Sequence, residues 1–598
     1  MLASSISSSV LLFLLLLLPP AHPADASMQW VKLEGSPLSH LLLDPRVGQL
    51  FVGGVDHLYQ LTSDLEVMSH VKTGPLLDSP DCLPPIVAQD CPSATPTHNH
   101  NKLLLLEPGS LIVCGSLFQG TCEKRSLSNI SQLIYRTSNP VDTQYVAAND
   151  PRISTVAVVI TTRSKQEAGM PSGVLRLLMV GRGYTSRGPG DIPPITTRRL
   201  HPVAPPRRAF SQEEELGKLV VGSYSEYNNH FVKAVAHGDH VYFLFSRRDM
   251  RHTKEYRTYA SRLCSSDRSF YSYVEVPLLC RGGYNLAQGA WLGDLSGTPA
   301  LFVVMAAGQA STPIATSRSA LCVYTMKDLD ATMRRAQEVC YTEGGLDSSG
   351  QEEICPSHVS AASWSHEPGS VSPPAALLGA KLQTLREAGG LGIICSSCTD
   401  HQTTVLFGTN VSPVLQVLVR PDRSGHLYGS LLVDGGGAIG ADLLLDENTR
   451  QSRCPSPVPT DCLSCLSIRD PYCGWCVLEG RCSRKHECER HLLDNHWLWS
   501  FEQTNQCVTV QSLQPANQSR DEQTQVTMSV VQLPVLQGAE SLSCVFGSLP
   551  PQPAVVMGTE LTCQSPAPEL LPPMPPGSGE RRSPAESSRC SDLLLNDL

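Results

Sequence analysis

LFVGG, from Leu50 to Gly54, is a bulky apolar run closed by two glycines. It is too short for a helix and lacks polar alternation, so it reads as a strand covered on both faces. The texture returns at Leu111 (LIVCG), Leu177 (LLMVG), Val241 (VYFLF), Leu301 (LFVVMAA) and Val405 (VLFG). The first four intervals are 61, 66, 64 and 60 residues, and the fifth is 104. A turn and a second strand-like segment follow five of the runs, at His57–Leu61, Cys122–Leu127, Ile195–Leu200, Tyr256–Leu263 and Leu321–Met326. Short strands in evenly spaced units predict a β-propeller, whose blades leave only short edges. A row of unrelated β-sandwiches is the competing reading, and it leaves the constant interval unexplained.

Outward from this region the texture changes. Eight of the 22 cysteines (Cys454, Cys462, Cys465, Cys473, Cys476, Cys482, Cys488 and Cys507) fall between residues 454 and 507. A segment that short buries little core and needs staples. Its two CxxC pairs, Cys462/Cys465 and Cys473/Cys476, are open to three readings: disulfides, a zinc clasp, or thiol redox chemistry. Zinc requires four free ligands and a redox CxxC requires a βαβ setting, which the surrounding sequence does not supply. Beyond Cys507, residues 508–565 alternate apolar and polar side chains, with Val526–Leu533 and Ser541–Gly547 as candidate strands. From Pro566 the chain is rich in Pro, Ser, Gly and Glu and is expected to be disordered to residue 598.

The apolar run Val10–Leu18, followed by Pro19, Pro20 and the small-residue site Ala24-Asp25-Ala26, predicts a signal peptide over residues 1–26, although Met1–Ser9 carries no Lys or Arg. No stretch has the roughly 20 apolar residues of a membrane helix, so the chain as written is expected outside the cell, where disulfides persist. A net charge of -10 over 598 residues speaks against nucleic acid as a partner.

The eight-cysteine segment with Asp470-PYCGWC-Cys476 resembles the PSI module of plexins, semaphorins and Met-type receptors, and the repeats before it resemble their seven-bladed Sema propeller. Four further blocks are similar to B-class plexins: Thr73–Cys82 (TGPLLDSPDC), Gln144–Pro151 (QYVAANDP), Val180–Gly188 with Ile192–Arg198, and Tyr271–Cys280 (YSYVEVPLLC). Residues 508–565 resemble the start of the immunoglobulin-like IPT domain that follows PSI in plexins. The resemblance implies an all-β chain divided into a Sema propeller (27–453), a PSI module (454–507) and a partial IPT domain (508–565). It also implies a semaphorin receptor ectodomain of axon guidance and cell migration, with class 4 semaphorins as partners. Contact with a co-receptor or a second copy through the Sema domain is a further expectation, and no cofactor is expected. The implied disulfides are Cys82–Cys91, Cys114–Cys122, Cys264–Cys398, Cys280–Cys322, Cys454–Cys473, Cys462–Cys507, Cys465–Cys482, Cys476–Cys488 and Cys544–Cys563.

Three departures accompany the resemblance. Residues 351–394 do not follow the family pattern, and they leave Cys340 a choice of Cys355 or Cys395. Residues 442–453 run straight into the PSI segment where the family places another strand pair. The remaining ectodomain, membrane helix and cytoplasmic region are absent from the sequence, so the expectation is a truncated or spliced product, or a soluble decoy. Two rivals within the binding class are a semaphorin-type ligand, which would carry a true immunoglobulin domain after PSI, and a Met-like growth-factor receptor ectodomain. The rival from another class is an extracellular CxxC redox enzyme.

No HExxH, GxSxG or phosphate-loop motif is present, so no enzyme is expected. Val180–Gly188 has glycines at the wrong spacing for a dinucleotide site and no helix pattern after it. His98 and His100 read as ordinary loop histidines. The segments 181–191 and 246–257 join paired strands of successive repeats and are expected on one face of neighbouring blades. Arg182, Arg187, Arg247, Arg248 and Arg251 would there form a basic docking patch. Asn129, Asn410 and Asn517 begin N-x-Ser sequons and are expected to carry glycans.

Overall fold

The computed structural model describes most residues from 30 to 571; the longer internal stretches outside it are 343–376 and 433–460. The expected signal peptide lies outside the described residues except for Leu12–Phe13, which pair with Trp30–Val31. The chain forms two compact units whose boundary falls between Arg450 and Gln451.

Among the described residues, the first unit contains six four-stranded antiparallel meanders, of which the fourth and fifth are joined into one eight-stranded sheet by parallel pairing of Leu278–Cys280 with Leu377–Gly379. The first blade is Leu38–Asp44, Gln49–Gly54, His57–Leu61 and Val67–Lys72; the second is Asn101–Glu107, Ser110–Gly115, Cys122–Ser126 and Leu133–Tyr135. The third is Thr155–Arg163, Val174–Arg182, Ile195–Leu200 and Glu215–Leu219, and the fourth is His230–His237, His240–Arg248, Tyr256–Cys264 and Val274–Cys280. The fifth is Leu286–Leu295, Thr298–Gly308, Ala315–Thr325 and Leu377–Arg386, and the sixth is Ile393–Ser396, Thr403–Gly408, Pro413–Val419 and Gly425–Leu432. Every one of the six apolar runs is the second strand of its blade. The stretch 442–453, where the family places another strand pair and this sequence departs from it, lies outside the described residues.

The runs within these second strands are apolar because they are covered on both faces. Phe51 packs toward the second blade while Leu50 and Val52 occupy the opposite side of the first. Ile112 and Cys114 face the third blade, and Leu111 and Val113 face the first. Leu178 and Val180 turn back to the second blade, while Leu177 and Met179 turn forward to the fourth. Phe302 and Val304 meet Val405, Val417 and Val419 of the sixth. Adjacent residues of one strand thus serve two successive seams, the period-2 geometry of a strand in a stack of sheets. Gly120, at φ +81 in the turn before the third strand of the second blade, sits where an added Cβ would lie 1.9 Å from the Ala147 carbonyl oxygen, so only glycine fits.

The fifth interval is long because a helix, Met326–Thr342, follows the third strand of the fifth blade before the chain returns at Leu377. Met326, Leu329, Met333 and Ala336 are buried in the seam between the fourth and fifth blades. Asp330 accepts hydrogen bonds from Tyr242 Oη at 2.7 Å and Arg262 Nη1 at 2.9 Å, fixing the helix to the fourth blade.

In the second unit, Asp461 caps the short helix Cys462–Ser467 by accepting from the Ser464 N–H at 2.8 Å. A three-stranded sheet follows, ordered Arg481–Ser483, Gly474–Cys476 and Trp497–Trp499. Residues Thr509 to Gln564 supply five more strands around Val526, Met528, Val530, Leu542 and Leu561.

Candidate ligand-binding face and disulfide framework

Two of the five arginines expected in a basic patch are not on exposed turns. Arg182 and Arg247 lie inside the second strands of the third and fourth blades, 3% and 9% exposed. Both strands run further than the sequence suggested, carrying these arginines into the seams. The Arg247 guanidinium pairs with Glu275 and is stacked between the rings of Tyr259, 4.2 Å to the centroid, and Tyr227, 5.2 Å. The other Glu275 oxygen accepts the Tyr273 hydroxyl at 2.8 Å. Burial works against the Arg247 charge, Glu275 and the tyrosines work for it, and the net shift is upward. Burial also drives the Tyr273 hydroxyl well above its usual range, with Glu275 adding to the effect. Arg248 ends its strand half-buried, its N–H donating to the Tyr227 carbonyl at 2.9 Å. Arg187 and Arg251 lie outside the described residues.

What the blades do present is apolar and stapled. Between the first and second blades a small hairpin, Leu76–Asp78 with Thr95–Thr97, carries the Cys82–Cys91 bridge. Asp78 accepts from the Phe118 N–H at 2.8 Å and the Ser79 N–H at 2.9 Å, and burial raises its carboxyl's pKa. Gln119 Nε2 donates to the carbonyls of Pro80 and Cys82 at 3.0 and 3.1 Å. Held this way, the hairpin leaves Leu76, Leu77, Leu83 and Val87 exposed, and Tyr271 stands 69% exposed on a turn of the fourth blade. Large apolar side chains inside a loop closed by a nine-residue disulfide are a signal the sequence offered and the basic-patch reading passed over.

The CxxC pairs are neither a zinc site nor a redox dithiol. Cys462 bonds Cys507, Cys465 bonds Cys482, and Cys476 bonds Cys488. Cys473 is also disulfide-bonded; its expected partner Cys454 lies outside the described residues. Cys476, Glu479 and Cys488 are close enough together to hold a metal, but both sulfurs are consumed by the bond between them. Cys114–Cys122, Cys280–Cys322 and Cys544–Cys563 are bonded as well. One pairing needs correction: Cys264, at the end of its strand, carries a free thiol, and Cys398 lies outside the described residues. Asn129 and Asn517 are exposed, whereas Asn410 lies outside the described residues.

Residues 453–525 match the family model described as the plexin repeat, PSI, and residues 514–583 match the plexin TIG domain. Human Plexin-B1 is 40% identical over 585 residues, which is 91% of this chain and 27% of that protein. Mouse Plexin-B3 is 37% identical over 597 residues, 95% of this chain and 30% of its own length. The solved extracellular region of Plexin A4 superposes with a TM-score of 0.64 at 25% identity, covering 90% of this chain and 57% of that one.

The chain belongs to the B-class plexins. The six meanders of this plexin chain are blades of a Sema propeller, followed by PSI and TIG modules. It spans under a third of the length of the curated plexins it matches. The TIG match runs to residue 583, into the stretch expected as a disordered tail from 566. Among the described residues, no helix is long and apolar enough to cross a membrane.

Proposed function

We propose that this chain is the ligand-binding part of a semaphorin receptor, which docks a class 4 semaphorin through its propeller outside the cell and performs no catalysis. The observation that carries this reading is the 40% identity with Plexin-B1 over 91% of the chain, spanning propeller, PSI and TIG modules in order. The disulfide-rich framework supports an oxidising, extracellular setting. PSI followed by TIG favours a plexin over a semaphorin-type ligand.

The test is binding of the purified, secreted chain to a panel of semaphorin ectodomains in solution. Saturable binding to class 4 members, weaker or absent for other classes, is expected. Folded protein that binds no semaphorin overturns the receptor reading, and equal binding across classes overturns the class 4 assignment.

A further inference from the structure

Arg182 leaves an unbalanced charge in the seam between the second and third blades. Its Nη2 donates to Thr185 Oγ1 at 3.1 Å, and its guanidinium centre lies 5.7 Å from the Tyr145 ring centroid. Among the described residues, Nε and Nη1 have no acceptor, and the buried Tyr145 hydroxyl has no partner. The charges around it make matters worse. Lys102, from the second blade, donates to the carbonyls of Pro151 and Ile153 at 2.9 and 2.8 Å, and Asp150 acts on this lysine. Arg198, from the neighbouring strand, is engaged by the Phe210 carbonyl and by Glu215. Among the described residues, no carboxylate is found acting on Arg182. Burial lowers its pKa to about 10, with Arg198 adding to the effect, so it remains a cation at neutral pH.

A sealed cation with two idle N–H groups is unfavourable unless an anion joins it. The occupant must be small, because the donors have no exposed surface, and a carboxylate on a partner's side chain would have no path to them. We propose that this seam holds a monovalent inorganic anion of chloride size, bound by Arg182 Nε and Nη1 and by the Tyr145 hydroxyl. The anion neutralises the guanidinium and ties the second blade to the third.

The experiment is thermal unfolding of the full secreted chain at constant ionic strength as gluconate is replaced by chloride. A saturable rise in Tm is expected, with bromide substituting for chloride, and Arg182→Met should abolish the dependence. Tyr145→Phe, which keeps the ring packing, should weaken the apparent chloride affinity about ten-fold, the loss of one hydrogen bond to a charged group. Identical Tm values in chloride and gluconate would mean that water fills the seam and would overturn the proposal. Unchanged chloride dependence in Arg182→Met would overturn it too. If that variant is not secreted, Tyr145→Phe decides, and an affinity equal to wild type counts against the site.

Discussion

At the scale of single residues, two neighbouring arginines have different jobs. Arg247 is held by Glu275 and two tyrosine rings, whereas Arg248 stands half-buried at the strand end. Arg247→Met is expected to destabilise the propeller by about 3 kcal/mol or more, because it leaves the Glu275 charge unpaired in the seam. Arg248→Glu should cost under about 1 kcal/mol; secretion yield and chemical denaturation of the two variants check this contrast. Lys102 supplies a pH signature. Burial lowers its pKa to about 8, while the unfolded chain keeps the proton to about 10.5. Between those values the unfolded state binds more protons, so this group's contribution to stability rises with pH there and is flat below pH 8. The full swing is about 3 kcal/mol. Denaturation at pH 8 and pH 10 should show a rise in wild type that is smaller in Lys102→Met.

Strands and helices were unequally legible. Second strands announce themselves because both faces are covered, as with Leu177 and Met179 on one side and Leu178 and Val180 on the other. The fourth strand of the first blade does not: Val67–Lys72 is exposed at Val67, Met68, His70 and Lys72, and its sequence could pass for a loop. The helix Met326–Thr342 was legible in principle, since Met326, Leu329, Met333 and Ala336 recur at helical spacing, but an all-β expectation left it unread. Its attachment rests on Asp330. Asp330→Ala should cost about 2 kcal/mol or more, because Arg262 and Tyr242 lose a shared acceptor in a mostly buried site. A lower urea midpoint with an unchanged m-value would check it.

At the scale of the whole molecule, the two compact units differ in what holds them. Among the described residues, the first is built on five seams of apolar side chains between six blades. The PSI part of the second has a small core, Cys465, Cys473 and Cys482 with Ile468 and Trp475, and depends on its bridges. Removing structural disulfides from small secreted domains typically costs about 2–5 kcal/mol. Calorimetry of the whole chain is expected to show two transitions. Reductant should lower the one belonging to residues 451–571 far more than the propeller's; a single transition shifting as one would contradict this division.

The sequence by itself determined the architecture. Periodic apolar runs require sheets covered on both sides, and eight cysteines crowded into a short segment require staples, so both readings follow from local chemistry. Which polar side chains are buried was decided only by the tertiary structure. Arg182 and Arg247 read as surface charges because each falls in a segment that reads as the connection between two strands. Tyr227, Tyr259 and Glu275 reach Arg247 only when the strands of the fourth blade pair side by side. Burial of a charge depends on partners on other strands, and those partners come together only once the strands have paired.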